Sequence, residues 1–395
     1  MGTELAVSLA MAESPSAPVQ SLSQRLQVLA AAEPSPFPVV SLYLNLATGA
    51  NGRENYDTFV RKSFADRSKS LPAESPERES FEQDHELIRR YLDIEISRQS
   101  QALAVFACAG TGLFEAFQFD AAIDQHWLFV GSVPHLYPLA RVIDTYPRYA
   151  AVLLDTNRAQ IFVFRLGSTE RAEQVVNAKT RRTSKGGWSQ ARYQRRAENV
   201  HVHHIKEVIE TLGRLVREEE LEHVVVAGEE VALSILREQL PKPLAAKLID
   251  MTAWDRTAGE AEILASSLEA LRDKDAETDA EKVEEVLAAW RSGGLGVAGP
   301  ESTMSALQLG QVDELIIAAT PETLKPMQAL PADAAPGAVI ADTSAPQGAA
   351  DEARLKLSDE LVTRAQQTGA RIRFIEDASL LADIGGVGAL LRFRI

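Results

Sequence analysis

The chain has 395 residues, of which 45% are hydrophobic and 25% are charged, a composition typical of globular domains that excludes a disordered chain. The formal net charge of -15 excludes nucleic-acid binding over the whole surface, and the single cysteine, Cys108, excludes an intramolecular disulfide and a cysteine-based zinc cluster. No run reaches the ~18 apolar residues of a membrane helix, and residues 1–18 have no basic start like that of a signal peptide. We therefore expect a soluble, cytoplasmic protein.

Residues 1–145 are predicted to form an N-terminal α/β domain. PFPVVSLYLNLATG (36–49) favours a strand, because its β-branched and apolar residues end at turn formers. Two segments with helical spacing of apolar residues follow, ENYDTFVRKSFADRSKSL and FEQDHELIRRYLDIEI. QALAVFACAGTGLFEAFQF then indicates two strands around a Gly-Thr-Gly turn. None of these stretches resembles a catalytic motif, so we expect a scaffold.

Residues 146–292 are predicted to form a central domain. Two apolar runs, 152–154 and 161–164, favour a hairpin around a turn at residues 155–157. A long amphipathic helix is expected from about 195 to 219, followed by strands in LEHVVVAG and KLIDMTAW. A last helix is expected near 257–290. The order of elements predicts a mixed sheet with helices on its faces.

Residues 293–395 are predicted to form a compact C-terminal α/β domain, beginning within the glycine-rich stretch RSGGLGVAGP (291–300). Pro300 favours a helix start and Gly310 its end, and a buried strand follows at residues 312–318. Residues 329–352, rich in Ala, Pro, Gly and Asp, are predicted to be a loop. A helix near 355–368, ending at Gly369, and strands in ARIRFIE and at the C-terminus complete an α/β fold of three domains.

A concentrated basic segment lies between the hairpin and the long helix. It holds seven basic residues and no acid: Lys179, Arg181, Arg182, Lys185, Arg192, Arg195 and Arg196. Gly186 and Gly187 allow close backbone approach to a ligand, and arginines bind phosphates through paired hydrogen bonds. Trp188 and Tyr193 are of the type that stacks on bases. The segment therefore favours binding of an anionic polymer; the alternative is a basic linker whose arginines pair with acids elsewhere in the chain.

The order of hairpin, basic Gly-Gly loop, long helix, HVVVAG strand and KLIDMTAW strand resembles the central domain of archaeal and eukaryotic class-1 peptide-chain release factors. PESTMSALQLGQVDELIIA and ADIGGVGALLRFRI resemble the third domain of those factors and of the rescue factor Pelota. The resemblance covers about residues 148–395. It points to the bacterial relatives of these factors, which include Vms1-like peptidyl-tRNA hydrolases and Balon-type hibernation factors.

This resemblance implies a ribonuclease-H-like central domain and a C-terminal domain similar to kink-turn-binding ribosomal proteins. It also implies hydrolysis of peptidyl-tRNA on stalled ribosomes, with Gly186, Gly187 and Gln190 as catalytic residues and Trp188, Tyr193 and the seven basic residues as RNA contacts. In the release factors a Gln follows the second Gly directly, whereas Trp188 and Ser189 intervene here. Residues 1–140 carry no recognisable stop-codon-reading motif.

Two other functions stay open at this point. One is a non-catalytic hibernation factor that occupies the ribosomal A site, and the other is an RNA-binding module unrelated to ribosomes. The resemblance implies the ribosome, through its rRNA and tRNA, as the partner, with a translational GTPase such as elongation factor Tu for delivery. We expect a monomer that requires neither a cofactor nor a metal.

For several further residues we favour a structural role over a functional one. His201, His203 and His204 offer metal-ligating side chains, but the sequence shows no second ligand cluster, so an exposed helix start is expected. Gly385-Gly386 lacks the Lys and Ser/Thr of a phosphate-binding loop, which favours a tight turn. Asp155 is predicted to form a turn and Cys108 to be buried.

Overall fold

The computed structural model describes residues 22–47, 56–97, 100–121, 123–166, 168–176, 190–253, 260–327, 337–341 and 349–394. The N-terminal region comprises α1 (Leu22–Ala30), β1 (Val39–Asn45), α2 (Tyr56–Ser70), α3 (Pro76–Ile94), β2 (Ala102–Cys108), β3 (Leu113–Phe119), β4 (Trp127–Gly131) and α4 (Tyr137–Thr145). Ser75 caps α3 by accepting a hydrogen bond from the Arg78 backbone N–H. The two predicted helices and the predicted strands of this region are confirmed.

The central region comprises β5 (Tyr149–Leu154), β6 (Arg158–Arg165), β7 (Ser168–Val176), α5 (Gln190–Glu218), β8 (His223–Gly228), α6 (Glu230–Gln239), α7 (Lys242–Ala245), β9 (Leu248–Ala253) and α8 (Glu260–Arg291). Its sheet has the order β7-β6-β5-β8-β9, with β5, β8 and β9 parallel and β6 and β7 antiparallel. The mixed sheet is confirmed. β7 was not predicted, because its sequence STERAEQVV is polar enough to read as part of the loop.

The C-terminal region comprises β10 (Gly296–Ala298), α9 (Pro300–Gln308), β11 (Val312–Ala318), β12 (Gly337–Ala341), α10 (Ala349–Gln367), β13 (Arg371–Ile375) and β14 (Val387–Leu391). Four of its strands form a sheet in the order β10-β14-β11-β13. Gly310 and Gly369 follow α9 and α10 with φ angles of 65° and 63°, so glycine ends both helices as predicted.

The prediction of a loop over residues 329–352 is wrong in two places. α10 begins at Ala349, and β12 pairs antiparallel with β4, from Gly337 opposite Gly131 to Ala341 opposite Trp127. This gives the N-terminal sheet the order β12-β4-β1-β2-β3. β12 is a short strand whose partner lies some 200 residues earlier in the chain. Local composition contains no signal for such a distant pairing.

The N- and C-terminal regions share one hydrophobic core. Tyr43, Phe106 and Phe129 of the first region belong to the same buried cluster as Leu315 and Leu361 of the last. The second face of the N-terminal sheet packs separately against α2 and α3. The division into domains at 145/146 and 292/293 stays a prediction, and the shared core shows that the first and last regions pack as one body.

The helix α8 connects the central region to this body. In its first half, Ile263 and Leu271 pack with Tyr149 and Phe164 of the central sheet. In its second half, Val283, Val286 and Leu287 pack with strands of the C-terminal sheet. At 32 residues, α8 is about 48 Å long at 1.5 Å per residue, long enough to serve both cores.

Candidate nucleic-acid interface

The helix α5 is held on the central sheet by an apolar stripe along its C-terminal half. Ile205, Val208, Leu212 and Leu215 are spaced by three and four residues and are all buried against β5, β6 and β8. The stripe stops at His204, which is fully buried and donates a hydrogen bond to the backbone carbonyl of Arg158, the first residue of β6. Arg158 pairs with Val176, the last residue of β7, so His204 lies where β6 begins and β7 ends.

The N-terminal part of α5 precedes the buried stripe. The helix runs antiparallel to β5, because its far end reaches Arg148, whose Nη2 lies 2.6 Å from Glu219 Oε2. From His204 back to Gln190 the helix continues for another 14 residues, or about 21 Å at 1.5 Å per residue. We call residues 190–203 the arm. The arm contains the end of the basic segment.

The arm contains five of the residues predicted to form the site. Gln190 is the first residue of α5, five residues earlier than the predicted helix start. Arg192, Arg195 and Arg196 are spaced by three and four residues, positions that share one face of an α-helix. Tyr193 lies within the same turns. The first turn of α5 contains no acidic residue, which leaves the positive end of the helix dipole available to anions.

The remaining predicted residues lie outside the residues that the structure describes. They are Lys179, Arg181, Arg182, Lys185, Gly186, Gly187 and Trp188. Val176 at the end of β7 and Gln190 at the start of α5 bracket them in sequence. Their roles as catalytic and RNA-binding residues stay predictions.

Ion pairs fasten the base of α5 to the strand β7. Arg214 Nη2 lies 2.5 Å from Glu173 Oε2, and Arg171 Nη1 lies 2.9 Å from Glu219 Oε1. Arg214 also pairs with Glu218 at 2.9 Å, so strand and helix charges form a network. Single exposed pairs contribute little to stability, but a network holds its members in one geometry. The sequence analysis did not predict this network. The spacing of Arg171 and Glu173 by two residues in STERAEQVV places both on one face of a strand, and this spacing is a signal that could have indicated the network.

The side chains at the sheet edge serve structural roles. Asp155 Oδ1 accepts hydrogen bonds from the backbone N–H groups of Asn157 at 2.6 Å and Arg158 at 2.7 Å, which confirms Asp155 as a turn former. Burial lowers the pKa of His204, whereas His203 is exposed with its Nε2 3.5 Å from Glu207 Oε1. Within the described ranges, no group of three or more His, Cys, Asp or Glu side chains is placed to hold a metal ion.

Two other predictions are confirmed outside the central region. Gly385 and Gly386 have φ angles of 75° and 85° and form the tight turn that precedes β14. Cys108 is fully buried, with its Sγ 3.6 Å from Ser35 Oγ. No helix in the part of the chain that the structure describes is long and apolar enough to cross a membrane.

Two protein-family models match the chain, and they adjoin each other. Residues 134–272 match bacterial archaeo-eukaryotic release factor family 10, and residues 276–395 match eRF1 domain 3. The first match contains the arm and the whole central sheet, and the second contains the C-terminal sheet. The boundary between the matches, at residues 272–276, lies in the middle of α8.

Solved structures of archaeal factors are similar over most of the chain at low identity. The archaeal translation termination factor aRF1 is 17% identical, with a TM-score of 0.26, over 94% of this chain and 97% of that one. Pelota from Thermoplasma acidophilum is 18% identical, with a TM-score of 0.26, over 76% and 83%. Ribosome-bound archaeal Pelota, from a model with ABCE1, is 14% identical, with a TM-score of 0.43, over 94% of both.

Curated proteins yielded no match to this sequence. Structural similarity at TM-scores below 0.5 gives no information about activity. The relationship of this chain to known families therefore rests on the two family models. Together they cover the central and C-terminal regions in the order that the sequence motifs predicted. The chain therefore contains a region similar to bacterial archaeo-eukaryotic release factor family 10, followed by a region similar to eRF1 domain 3.

Proposed function

We propose that the protein is a ribosome-binding rescue factor that hydrolyses peptidyl-tRNA on stalled ribosomes. The observation that carries the proposal is the arm. A helix that continues for about 21 Å N-terminal to its buried stripe, and that begins at Gln190 directly after the basic Gly-Gly segment, is long enough to enter a narrow RNA-lined site. The family 10 match over the same residues supports it.

In this proposal the segment 185–196 lies near the peptidyl transferase centre. The reaction is hydrolysis of the ester between the peptide and the tRNA 3′ end: water attacks the carbonyl carbon, and the tRNA hydroxyl leaves with a proton. A neutral glutamine is not a strong base, so the Gln190 amide orients the water. Gly186 and Gly187 let the backbone approach the ester, and a backbone N–H there donates to the developing oxyanion.

The basic residues hold the segment on RNA. Arg192, Arg195 and Arg196, with the cations of 179–185, bind phosphates, and Trp188 and Tyr193 stack on bases. The acidic remainder of the chain repels RNA elsewhere and confines contact to this segment. The protein acts in the cytoplasm as a monomer, and a translational GTPase such as elongation factor Tu delivers it.

One observation favours a second candidate, a hibernation factor that occupies the A site without cleaving peptidyl-tRNA. Gln190 is separated from Gly187 by two residues and is the first residue of a helix. A glutamine fixed at a helix start has less freedom to reach the ester than one in the glycine turn itself. The two candidates share ribosome binding and differ in chemistry.

A single-turnover release assay separates them. Ribosomes stalled with radiolabelled peptidyl-tRNA are mixed with the wild-type protein, Gln190→Ala or Gln194→Ala, the last being a matched amide one helical turn further along the arm. We expect wild-type release, loss of at least about tenfold in Gln190→Ala and a near-wild-type rate in Gln194→Ala. Binding to 70S ribosomes without release by any of the three proteins supports the hibernation factor, and absence from the 70S peak in a sucrose gradient overturns both.

A further inference from the structure

The turn between β6 and β7 holds a leucine in a backbone conformation that leucine rarely adopts. Arg165 pairs with Ser168, which leaves residues 166–167 to connect the two strands. Leu166 has a φ angle of 48°, in the left-handed region. Two-residue hairpin turns that need a positive φ at this position favour Asn, Asp or Gly. A leucine is strained there, so the surroundings of the turn must hold it in place.

The groups that hold this turn belong to the N-terminal region. The Leu166 carbonyl oxygen accepts hydrogen bonds from the backbone N–H groups of Asp120 at 3.2 Å and Ala121 at 3.1 Å, directly after β3. The Leu166 side chain packs against the hydrophobic core that the N- and C-terminal regions share. The turn of a central hairpin is therefore anchored on the body by two hydrogen bonds and an apolar side chain.

The hairpin is packed on both faces between this anchor and its other end. On one face, the Phe164 side chain is fully buried, and its ring centre lies 5.2 Å from that of Tyr149. Both rings belong to the same buried cluster as Ile263 of α8. On the other face, Arg214 of α5 pairs with Glu173 of β7. Close packing on both faces leaves the hairpin little room to bend, so its two ends move together.

The other end of the hairpin leads into the basic segment. β6 begins at Arg158, which pairs with Val176 at the end of β7. The segment 177–189 follows Val176 directly in the sequence. β6 has 8 residues and spans about 26 Å at ~3.3 Å per residue. The N-terminal region therefore contacts one end of the hairpin, and the basic segment leaves from the opposite end.

Two further connections join the central region to the body, residues 146–148 and the helix α8. A rigid unit that is held at two places can still rotate about the line between them. α8 crosses the face of the central sheet, whereas the Leu166 turn lies at the end of that sheet. The turn is therefore a third attachment, and it removes this rotation.

We propose that Leu166 is a positioning residue. By anchoring the β6–β7 hairpin on the N-terminal region, it fixes the direction in which the segment 177–189 and the arm are presented to RNA. The presentation to RNA rests on the proposed function, whereas the anchoring does not. The N-terminal region thereby gains a role as the platform on which the basic segment is aligned. A leucine occupies the turn, rather than the Asn or Gly that the turn favours, because its side chain makes the anchor.

A distance measurement by pulsed electron paramagnetic resonance in the free, full-length protein tests the anchor. Nitroxide labels at Gln83→Cys on α3 and Gln174→Cys on β7 report the distance between the N-terminal region and the hairpin. Both glutamines are exposed, and Cys108 is fully buried. We expect one narrow peak with Leu166 present. Leu166→Asn keeps a left-handed turn but removes the apolar side chain, so the narrow peak should be lost. Leu166→Met keeps the apolar volume and should retain the peak.

Two further variants make the result specific. Leu166→Gly relieves the strain and removes the side chain, so it should lose the narrow peak as Leu166→Asn does. Whichever of the two keeps the wild-type circular dichroism spectrum decides the outcome. Glu74→Ala is the control, because Glu74 also has a positive φ, 58°, but lies exposed between α2 and α3. A narrow peak without the leucine, or its loss in Glu74→Ala, overturns the proposal.

A release assay gives a readout that a merely structural role would not change. Positioning predicts that Leu166→Asn lowers the single-turnover rate at saturating protein by about threefold or more, because fewer molecules present the segment correctly. The affinity for 70S ribosomes, which the basic segment supplies, should stay at the wild-type value. A lower affinity with an unchanged maximal rate contradicts positioning. The distance measurement needs no ribosome, so failure of the anchor is distinct from failure of the proposed function.

Discussion

The carboxylate of Asp359, on α10, accepts a hydrogen bond from the backbone N–H of Leu136 at 2.7 Å, at the start of α4. It also accepts from the Tyr137 N–H at 3.2 Å, and its other oxygen lies 3.1 Å from His135 Nδ1. A side chain from the last region of the chain thus satisfies free N–H groups at the start of a helix in the first. The two regions complete each other's structure.

The substitution Tyr137→Phe tests whether contacts between the first and last regions stabilise the protein. The Tyr137 hydroxyl donates to the Ala318 carbonyl at 2.9 Å and is buried, so its removal leaves a buried acceptor without a partner. We expect the free energy of unfolding to fall by about 1–2 kcal/mol in urea denaturation. Tyr146→Phe is the control, because its hydroxyl lies 3.4 Å from Arg272 Nη2 in a solvent-exposed contact. Equal effects of the two substitutions would contradict the account.

The outcome shows which features local sequence can predict. The strands at residues 36–49 and 312–318 are continuous apolar runs, and α5 carries a clear helical stripe, so each was visible locally. β12, by contrast, depends on pairing with β4 from the other end of the chain. The shared core depends on packing between apolar surfaces of the N- and C-terminal regions. No single segment of the sequence contains a signal for that packing. At the site, composition located the basic segment, but only the structure shows that the segment ends within α5 and that Arg214 and Glu173 form an ion pair at the base of this helix.

Substitution of two glycines in the central region by alanine should change the stability of the protein in opposite directions. A Cβ on Gly213, within α5, would meet Arg217 Nη1 at 3.6 Å and Leu244 Cδ1 at 3.7 Å, which are ordinary contacts. Gly213→Ala should therefore stabilise the helix by about 0.5–1 kcal/mol. A Cβ on Gly228 would lie 2.1 Å from the Leu154 carbonyl oxygen on the neighbouring strand, so Gly228→Ala should cost about 3 kcal/mol. Thermal unfolding measures both, and a destabilised Gly213→Ala would count against the packing described for α5.

Asp84→Asn should make stability less dependent on pH. Asp84 is fully buried on α3; its Oδ1 accepts from the Ala109 N–H at 2.7 Å, and its Oδ2 has no hydrogen-bond partner among the residues that the structure describes. Burial raises the pKa of Asp84 to about 7, so the native state binds a proton that the unfolded state releases above about 3.8. The resulting stability is complete below pH 3.8 and is lost as the pH rises to 7.

Asparagine avoids this loss because it stays neutral. The difference in unfolding free energy between Asp84→Asn and wild type should grow from pH 4 to pH 8 by on the order of 3 kcal/mol, measured by urea denaturation. Glu86→Gln, an exposed carboxylate two residues away, is the control and should show no such trend. A difference for Asp84→Asn that is the same at both pH values would contradict the assignment.

Neutralising the arm should change the salt dependence of ribosome binding. If Arg195 and Arg196 each contact a phosphate, replacing both by Gln should reduce the slope of log affinity against log salt by about two contacts. Arg217→Gln provides the matched control, since Arg217 is an exposed arginine near the other end of α5. Affinities for 70S ribosomes from 50 to 300 mM salt give the slopes. A double variant with the wild-type slope would show that the arm does not bind RNA.

The central claim is that the arm and the segment before it enter the peptidyl transferase centre. Directed hydroxyl-radical probing from an iron chelate tethered at Trp188→Cys tests it most directly, because the natural Cys108 is fully buried. We predict cleavage of the large-subunit rRNA around the peptidyl transferase centre, with none there from a chelate at Ser234→Cys on α6. Cleavage confined to other rRNA, or no ribosome-dependent cleavage from position 188, would contradict the claim.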